Sequence, residues 1–394
     1  MYSKKTVMIW LGLLLLTAFL MVSCGDDKPT EPTEIAEIDQ YYGGSGYDWG
    51  TTMLEAVDGN IIIAGSTDSY GSGKNTLYVI KVNQLGDTIW TRIYGGNGDD
   101  NAEAIDYTSD GGYAIAGTSS SFNGYDFYLL KINESGDKVW EKSIGQTDYF
   151  EWANGVVSVA DGYVMAGYSI PPHESNDLGN VWLVKTDLNG DMVWNKTFGG
   201  DGLDWAFSLA KCNDGGFIIS GYTNSFGAGD LDMYLIKTDS LGIMEWDAKF
   251  GGTSTDKAYD AIQTADGGYI ACGSTRSFGD HTEQVYIIKT NAAGGKEWSK
   301  LINGESGSLF ARDICKTDHN SYLITGATMV TNGKANYTEI DLSGNVIEQV
   351  PLAGFGTGME IMINSGGDYF LTGFGYPDST ESSAPDLLMI KKNN

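Results

Sequence analysis

Residues 198–249 read FGGDGLDWAFSLAKCNDGGFIISGYTNSFGAGDLDMYLIKTDSLGIMEWDAK, and the same order of parts returns along the whole chain. A glycine closes an apolar run at Gly65, Gly117, Gly167, Gly221, Gly273, Gly326 and Gly373. A lysine closes a second run at Lys81, Lys131, Lys185, Lys237, Lys289 and Lys391. A tryptophan follows a turn at Trp90, Trp140, Trp194, Trp246 and Trp298. Periods of about 40 to 50 residues, each with several strand-like runs, are the sequence mark of β-propeller blades. In the quoted unit and the residue after it, 205–211, 217–221, 232–237 and 243–250 are rich in the aromatic and β-branched residues that strands prefer. Asn213-Asp214-Gly215-Gly216 and residues 238–242 supply hairpin turns, glycine giving the positive φ such turns need. The pattern predicts an all-β, seven-bladed propeller of four-stranded antiparallel blades.

The chain ends bear on how the ring closes. The seventh unit stops at Met389-Ile390-Lys391-Lys392, after its third strand, and residues 35–42 offer the fourth. Ile38 precedes Gly43 by the interval that separates Trp90 from Gly95. The N-terminal strand is therefore expected to complete the last blade and remove the exposed sheet edges of an open ring. The domain organisation read here is 1–23 leader, 24–34 tether and 35–394 propeller.

The leader carries Lys4 and Lys5, an apolar run over 7–22, and then Ser23-Cys24. That is the layout of a secretory signal peptide, and the run is short for a bilayer span. Leu20-Met21-Val22-Ser23-Cys24 resembles a bacterial lipobox, which implies that Cys24 is lipidated and becomes the mature N-terminus; an ordinary signal peptide or signal anchor is the alternative. Gly25-Asp26-Asp27 resembles the surface-export signals of Bacteroidetes lipoproteins, which implies the outer membrane, on its periplasmic or surface face. The chain has 52 acids against 24 bases, a net charge of −28. Such a surface repels nucleic acid, since phosphate binding needs clustered Lys and Arg. The expected partners are the membrane, through the lipid, and a protein or glycan, with the protein itself a monomer. Cys212, Cys272 and Cys315 lie in apolar runs and read as buried thiols, or as one bridged pair with one left over.

The repeated residues read mainly as scaffold. The fourth-strand tryptophans suit packing between blades, with Glu348 in their place in the sixth unit. The lysines suit inter-blade salt bridges or snorkelling side chains, with Glu339 in the sixth unit. An acidic ring, Asp48, Asp100, Glu151, Asp204 and Asp256, follows the YGG-type turn in five units, and units six and seven lack a clear match. These carboxylates either accept hydrogen bonds from the glycine-rich turns or line the channel mouth and hold a cation; the first reading is preferred. No other cofactor and no metal cluster is expected. Gly71-Ser72-Gly73-Lys74-Asn75 lacks the first glycine and the Ser or Thr of a phosphate loop. Asp187-Leu188-Asn189-Gly190-Asp191 lacks the distal glutamate of a calcium loop. His173, His281 and His319 fall in different blades.

The repeat, with its YGG turn, DGG turn and closing Gly, Lys and Trp, is similar to the bacterial β-propeller repeats known as SBBP. Lys185-Thr186-Asp187-Leu188-Asn189-Gly190-Asp191-Met192-Val193-Trp194 resembles the signature of quinoprotein-like (PQQ-like) repeats. The resemblance implies architecture, over about residues 35–394. Its relatives include quinone-dependent dehydrogenases and a non-catalytic outer-membrane lipoprotein that scaffolds β-barrel assembly, so activity does not follow from it.

A site is expected on the face that carries the YGG turns and the long loops after each second strand. Aromatics collect there: Tyr47, Trp49, Tyr70, Phe122, Tyr149, Trp152, Trp205, Phe226 and Phe278. The third unit departs from the pattern at Pro171-Pro172-His173. Trp49, Trp152, Trp205, Pro171, Pro172 and His173 are the candidate binding residues, and no catalytic residue is assigned. The reading is a membrane-anchored, non-catalytic binding or scaffold lipoprotein of the cell envelope. The alternative is a carbohydrate-active or quinone-dependent propeller enzyme.

Overall fold

The computed structural model describes residues 37–71, 74–122, 124–172, 178–280, 282–302, 309–328, 335–351, 356–377 and 384–392. The leader, the tether with Cys24, His173 and His281 lie outside these. Among the described residues every regular element is a strand, and no helix is long and apolar enough to cross a membrane. The strands form seven four-stranded antiparallel sheets. In the fourth blade the strands are Asp204–Lys211, Phe217–Thr223, Asp232–Thr238 and Met244–Phe250. The first six blades use four consecutive strands each.

The seventh blade is built from both ends of the chain. Its strands Gly356–Ile363, Tyr369–Gly375 and Asp386–Lys392 are joined by Glu37–Tyr42, which pairs antiparallel with Asp386–Lys392. Ile38 stands opposite Lys391, as Trp90 stands opposite Lys81 in the first blade.

The apolar core is divided among the seams between blades. Each of seven buried clusters draws side chains from two neighbouring sheets. One of them joins Tyr42, Phe370, Leu387 and Met389 of the seventh blade to Met53, Ile61, Ile63 and Ile80 of the first. In blade four the two central strands are buried along their length, while the outer strand Met244–Phe250 is exposed or half-buried. A four-stranded sheet cannot bury both faces alone, and stacking supplies the missing cover.

The fourth-strand tryptophans pack across these seams. Each lies against the hairpin-turn glycine of the following blade: Trp90 against Gly136, Trp140 against Gly190, Trp194 against Gly242, Trp246 against Gly294, and Trp298 against Gly344. Trp246 Nε1 also donates to Ala292 O at 3.0 Å. The lysines differ from expectation. They bridge within a blade, because the third strand ends beside the hairpin turn that joins the first two strands of the same sheet. Lys185 pairs with Asp161 at 2.7 Å and Lys237 with Asp214 at 2.7 Å, and the other four repeat this. In the sixth blade Glu339 takes the lysine's place and accepts from Ser321 Oγ.

The repeated glycine of the second strand has a steric cause. A Cβ at Gly221 would stand 1.8 Å from Trp205 O, and at Gly65, Gly167 and Gly273 between 1.8 and 1.9 Å from Trp49, Trp152 and Lys257 O. The carbonyl comes so close because the first strand bulges there. In blade four the register slips between Ala206 and Ser208, leaving Phe207 unpaired. The same slip occurs in all seven blades. A bulge leaves one residue out of the ladder and re-aims its side chain.

Candidate ligand-binding channel

The first strands of successive blades contact one another in a ring. They enclose a central cavity of about 270 Å³. The bulged residues all line it: Thr51, Glu103, Asn154, Phe207, Tyr259, Arg312 and Met359. Each is followed by a second lining position, with Ser208, Asp260, Asp313 and Glu360 on four consecutive blades. These columns change from blade to blade while the scaffold columns repeat. Seven different side chains from one repeated backbone position make the channel the chemically individual part of the molecule.

The carboxyls deeper in the channel brace neighbouring blades. Asp260 accepts from Ser208 Oγ and, at 3.2 Å, from Ile314 N. Asp313 accepts from Ile361 N at 2.8 Å, and Glu360 from Met53 N at 2.9 Å. Desolvation, with the charges of Asp260 and Glu360 close by, holds the Asp313 carboxyl well above the ordinary carboxylate range. Desolvation pushes Glu360 up to about 7. Glu103, half-buried in the channel lining, is also pushed up to about 7 by desolvation, against the Trp152 indole that donates to it at 3.2 Å and the charge of Arg312.

Aromatic rings form an unbroken chain across four blades. Phe150 meets Trp152 and Tyr168; Tyr168 meets Trp205. Trp205 meets Tyr222, which meets Phe207. Phe207 stacks on Tyr259 at 5.1 Å, and Tyr259 meets Phe310. In this arc Tyr168 and Tyr222 are buried; Phe150, Trp152, Trp205, Phe207, Tyr259 and Phe310 are half-buried, and Phe207 and Tyr259 line the channel. Two cations sit on the arc: Lys257 Nζ lies 5.2 Å from the Tyr222 ring, and Arg312 Cζ lies 4.5 Å from Tyr259 and 5.1 Å from Phe310.

The arc contains two of the three tryptophans singled out in the sequence. Trp49, in the first blade, is half-buried and lies outside it. Pro171 is half-buried and Pro172 exposed, both in the loop of the third blade. Several loop aromatics are already engaged. Tyr70, Phe122, Phe226 and Phe278 fold back onto Tyr78, Tyr128, Tyr234 and Tyr286 of their own blades.

Asp48, Asp100, Glu151, Asp204 and Asp256 are all fully buried, away from the channel lining. Each accepts from the backbone of the turn before it: from Gly44 N at 2.9 Å, Gly96 N at 2.8 Å, Gln146 N at 3.1 Å, Gly200 N at 2.9 Å and Gly252 N at 2.9 Å. Hydroxyls such as Ser69, Ser121 and Ser225 donate to the same carboxylates. The turn leaves one blade and the acid begins the next, so the bonds hold adjacent blades together. Among the described residues no cluster of His, Cys, Asp and Glu has a metal-holding arrangement. Cys212 and Cys272 are buried free thiols, and Cys315 is a half-buried one.

The channel-lining candidates that the sequence reading did not single out are Glu103, Phe207, Tyr259, Arg312 and the deeper carboxyls. The available signal was a column three residues beyond each acid that varies within a strict repeat.

No family model and no curated protein matches the sequence. Solved structures share its fold. The WD40 domain of Neurospora crassa Pan2 is 10% identical, with 88% of this chain and 90% of that chain covered and a TM-score of 0.54. A protein of unknown function from Dyadobacter fermentans is 10% identical, covering 91% and 98%, with a TM-score of 0.52. Virginiamycin B lyase from Staphylococcus aureus is 10% identical, covering 91% and 100%, with a TM-score of 0.51. At this identity the likeness is one of fold, that of a β-propeller.

Proposed function

We propose that this protein is a binding module of the cell envelope, tethered by lipid at Cys24, that takes a glycan or protein group into its channel mouth. The observation that carries the reading is the arc of six half-buried aromatic rings over blades three to six. Binding energy concentrates on such rigid anchors, which offer area at little conformational cost. The rest of the molecule is a repeated scaffold, the arrangement in which sites are built from a few departures. A lipid anchor would present this mouth at a membrane surface, and the acidic exterior disfavours nucleic acid as the partner. The test pairs a glycan array with affinity capture from envelope extracts, using wild type, Phe207→Ala and Trp298→Ala. Capture lost in the channel variant and kept in the outer-strand variant supports the reading. Capture unaffected by Phe207→Ala overturns it.

Glu103 favours a second reading. A carboxyl with a pKa of about 7 in a cavity beside Arg312 and Tyr259 suits a general acid or base. Turnover of a glycan that is lost in Glu103→Gln while binding persists would establish the enzyme reading.

A further inference from the structure

The charge of the arc is opposite to that of the chain. Lys257, Arg276 and Arg312 gather on blades five and six of a protein whose net charge is −28. The one acid near Lys257, Glu283, is already paired with Arg276 at 2.8 Å. Among the described residues neither Lys257 nor Arg312 forms an ion pair, and Arg312 Nε is buried with no hydrogen-bond partner. Both side chains instead lie over aromatic rings. Burial, together with the charges of Arg312 and Arg276, lowers the Lys257 pKa; the charge of Glu283 opposes this. Glu103 and Glu283 act on these cations only through space, so a directly bonded anion adds a charge-assisted contact that neither cation has among the described residues.

The rings give the second half of the ligand. Trp205 and Lys257 occupy the same register position on adjacent first strands, opposite Tyr222 and Ser274. Phe207, Tyr259 and Arg312 share the next inward position on three consecutive blades. Rings and cations therefore share one side of the channel, with Phe207, Tyr259 and Arg312 in its lining and Trp205 and Lys257 one register position outside it. The cavity of about 270 Å³ lies near the lower end of small-molecule pockets, which run from about 300 Å³ upward, and suits a ligand residue rather than a folded partner.

We propose that the channel mouth over blades four to six binds an acidic saccharide, its sugar ring against the Trp205, Phe207 and Tyr259 side chains and its carboxylate or sulfate on Lys257 and Arg312. This rests on the binding reading above and narrows its ligand. The Arg312 fork matches a carboxylate in two parallel hydrogen bonds, while Lys257 acts as a point charge. The raised pKa values of Glu103 and Glu360 reduce the negative charge the acid group meets deeper in the channel.

The test is calorimetric titration of the full propeller with tetragalacturonate, a sulfated κ-carrageenan tetrasaccharide and neutral cellotetraose. At least one acidic tetrasaccharide should bind tenfold or more tightly than cellotetraose. Arg312→Gln and Lys257→Met should each weaken that binding about tenfold, the size expected of a charge-assisted bond. Arg312→Lys, which keeps the charge, should retain more affinity than Arg312→Gln, and near-ultraviolet circular dichroism checks each fold. Cellotetraose binding as tightly as both acids, unchanged affinity in the charge variants, or no acidic binding at millimolar ligand overturns the proposal. A neutral glycan or a protein held through Phe207 would leave the binding reading standing and remove only the acidic ligand.

Discussion

Trp205 stacks on Tyr168 across the seam between blades three and four, with ring centroids 4.1 Å apart and 9° between planes. The indole Nε1 is buried without a hydrogen-bond partner and faces Gly179, where a Cβ would stand 3.3 Å away. An unpartnered buried donor costs about 1–3 kcal/mol. Trp205→Phe keeps a stacked ring and removes the donor, so its melting temperature should equal or exceed that of wild type. Trp205→Ala removes the stack and should destabilise by about 2–3 kcal/mol, less than a fully buried tryptophan. Thermal melts of the two variants check this ordering.

Gly221→Ala tests the bulge. The added Cβ would lie 1.8 Å from Trp205 O, a backbone atom that cannot turn aside. The fourth blade must shift or lose the bulge that aims Phe207 inward, and a cost above about 3 kcal/mol is expected. Denaturant unfolding measures it. Gly215→Ala is the contrast: a Cβ there meets nothing within 4 Å, and only the positive φ of 84° opposes it.

The intra-blade ion pairs are asymmetric. Lys185 keeps 6% of its side chain exposed and Asp161 keeps 84%. Asp161→Ala strands a buried ammonium and should cost up to about 3 kcal/mol. Lys185→Met leaves Asp161 in water and should cost clearly less. Equal losses in the two variants would contradict the buried-cation account.

The deeper carboxyls make stability depend on pH in a stated direction. Glu360 and Glu103 rise from 4.5 in the unfolded chain to about 7 in the folded one. Between those values the folded state holds more protons, so their contribution falls as pH rises. It is fully present below about pH 4.5 and lost as pH passes 7. Glu360→Gln can still accept from Met53 N. The variant should therefore gain stability relative to wild type at pH 8 and show a flatter profile from pH 5 to 8. Melts of both proteins across that range decide the point.

Removing residues 37–42 should open the seventh blade. The strand Asp386–Lys392 would lose its outer partner, and the cluster around Phe370 and Met389 would lose Tyr42. An unpaired edge invites aggregation. The truncated chain should melt earlier and pellet more readily than one lacking only 24–34.

Much of this fold is legible in the sequence because a scaffold contact repeated in each blade leaves a repeated letter. Gly221, Asp204, Lys237 and Trp246 each belong to such a column, and each makes the same contact as its counterparts. The ion pairs of Lys237 and its kin stay within a blade, which spacing alone leaves open between neighbours. The channel is less legible. It takes one residue per blade, and Phe207 and Tyr259 stand 52 positions apart in the chain. A bulge also interrupts the two-residue alternation by which a strand's inward face is read. Loop aromatics such as Phe226 read as free contact area, yet a hairpin loop can fold its ring back over the strand beneath it, as Phe226 does over Tyr234.

The central claim is that the ligand sits on the inner strands of blades three to six. Hydrogen–deuterium exchange with bound ligand tests it directly. Protection in Phe150–Val159, Asp204–Lys211, Asp256–Gln263 and Leu309–Lys316, with the outer strands unchanged, is the predicted result. Protection confined to outer strands such as Met244–Phe250, or to the hairpin turn at Asp214-Gly215, would contradict it.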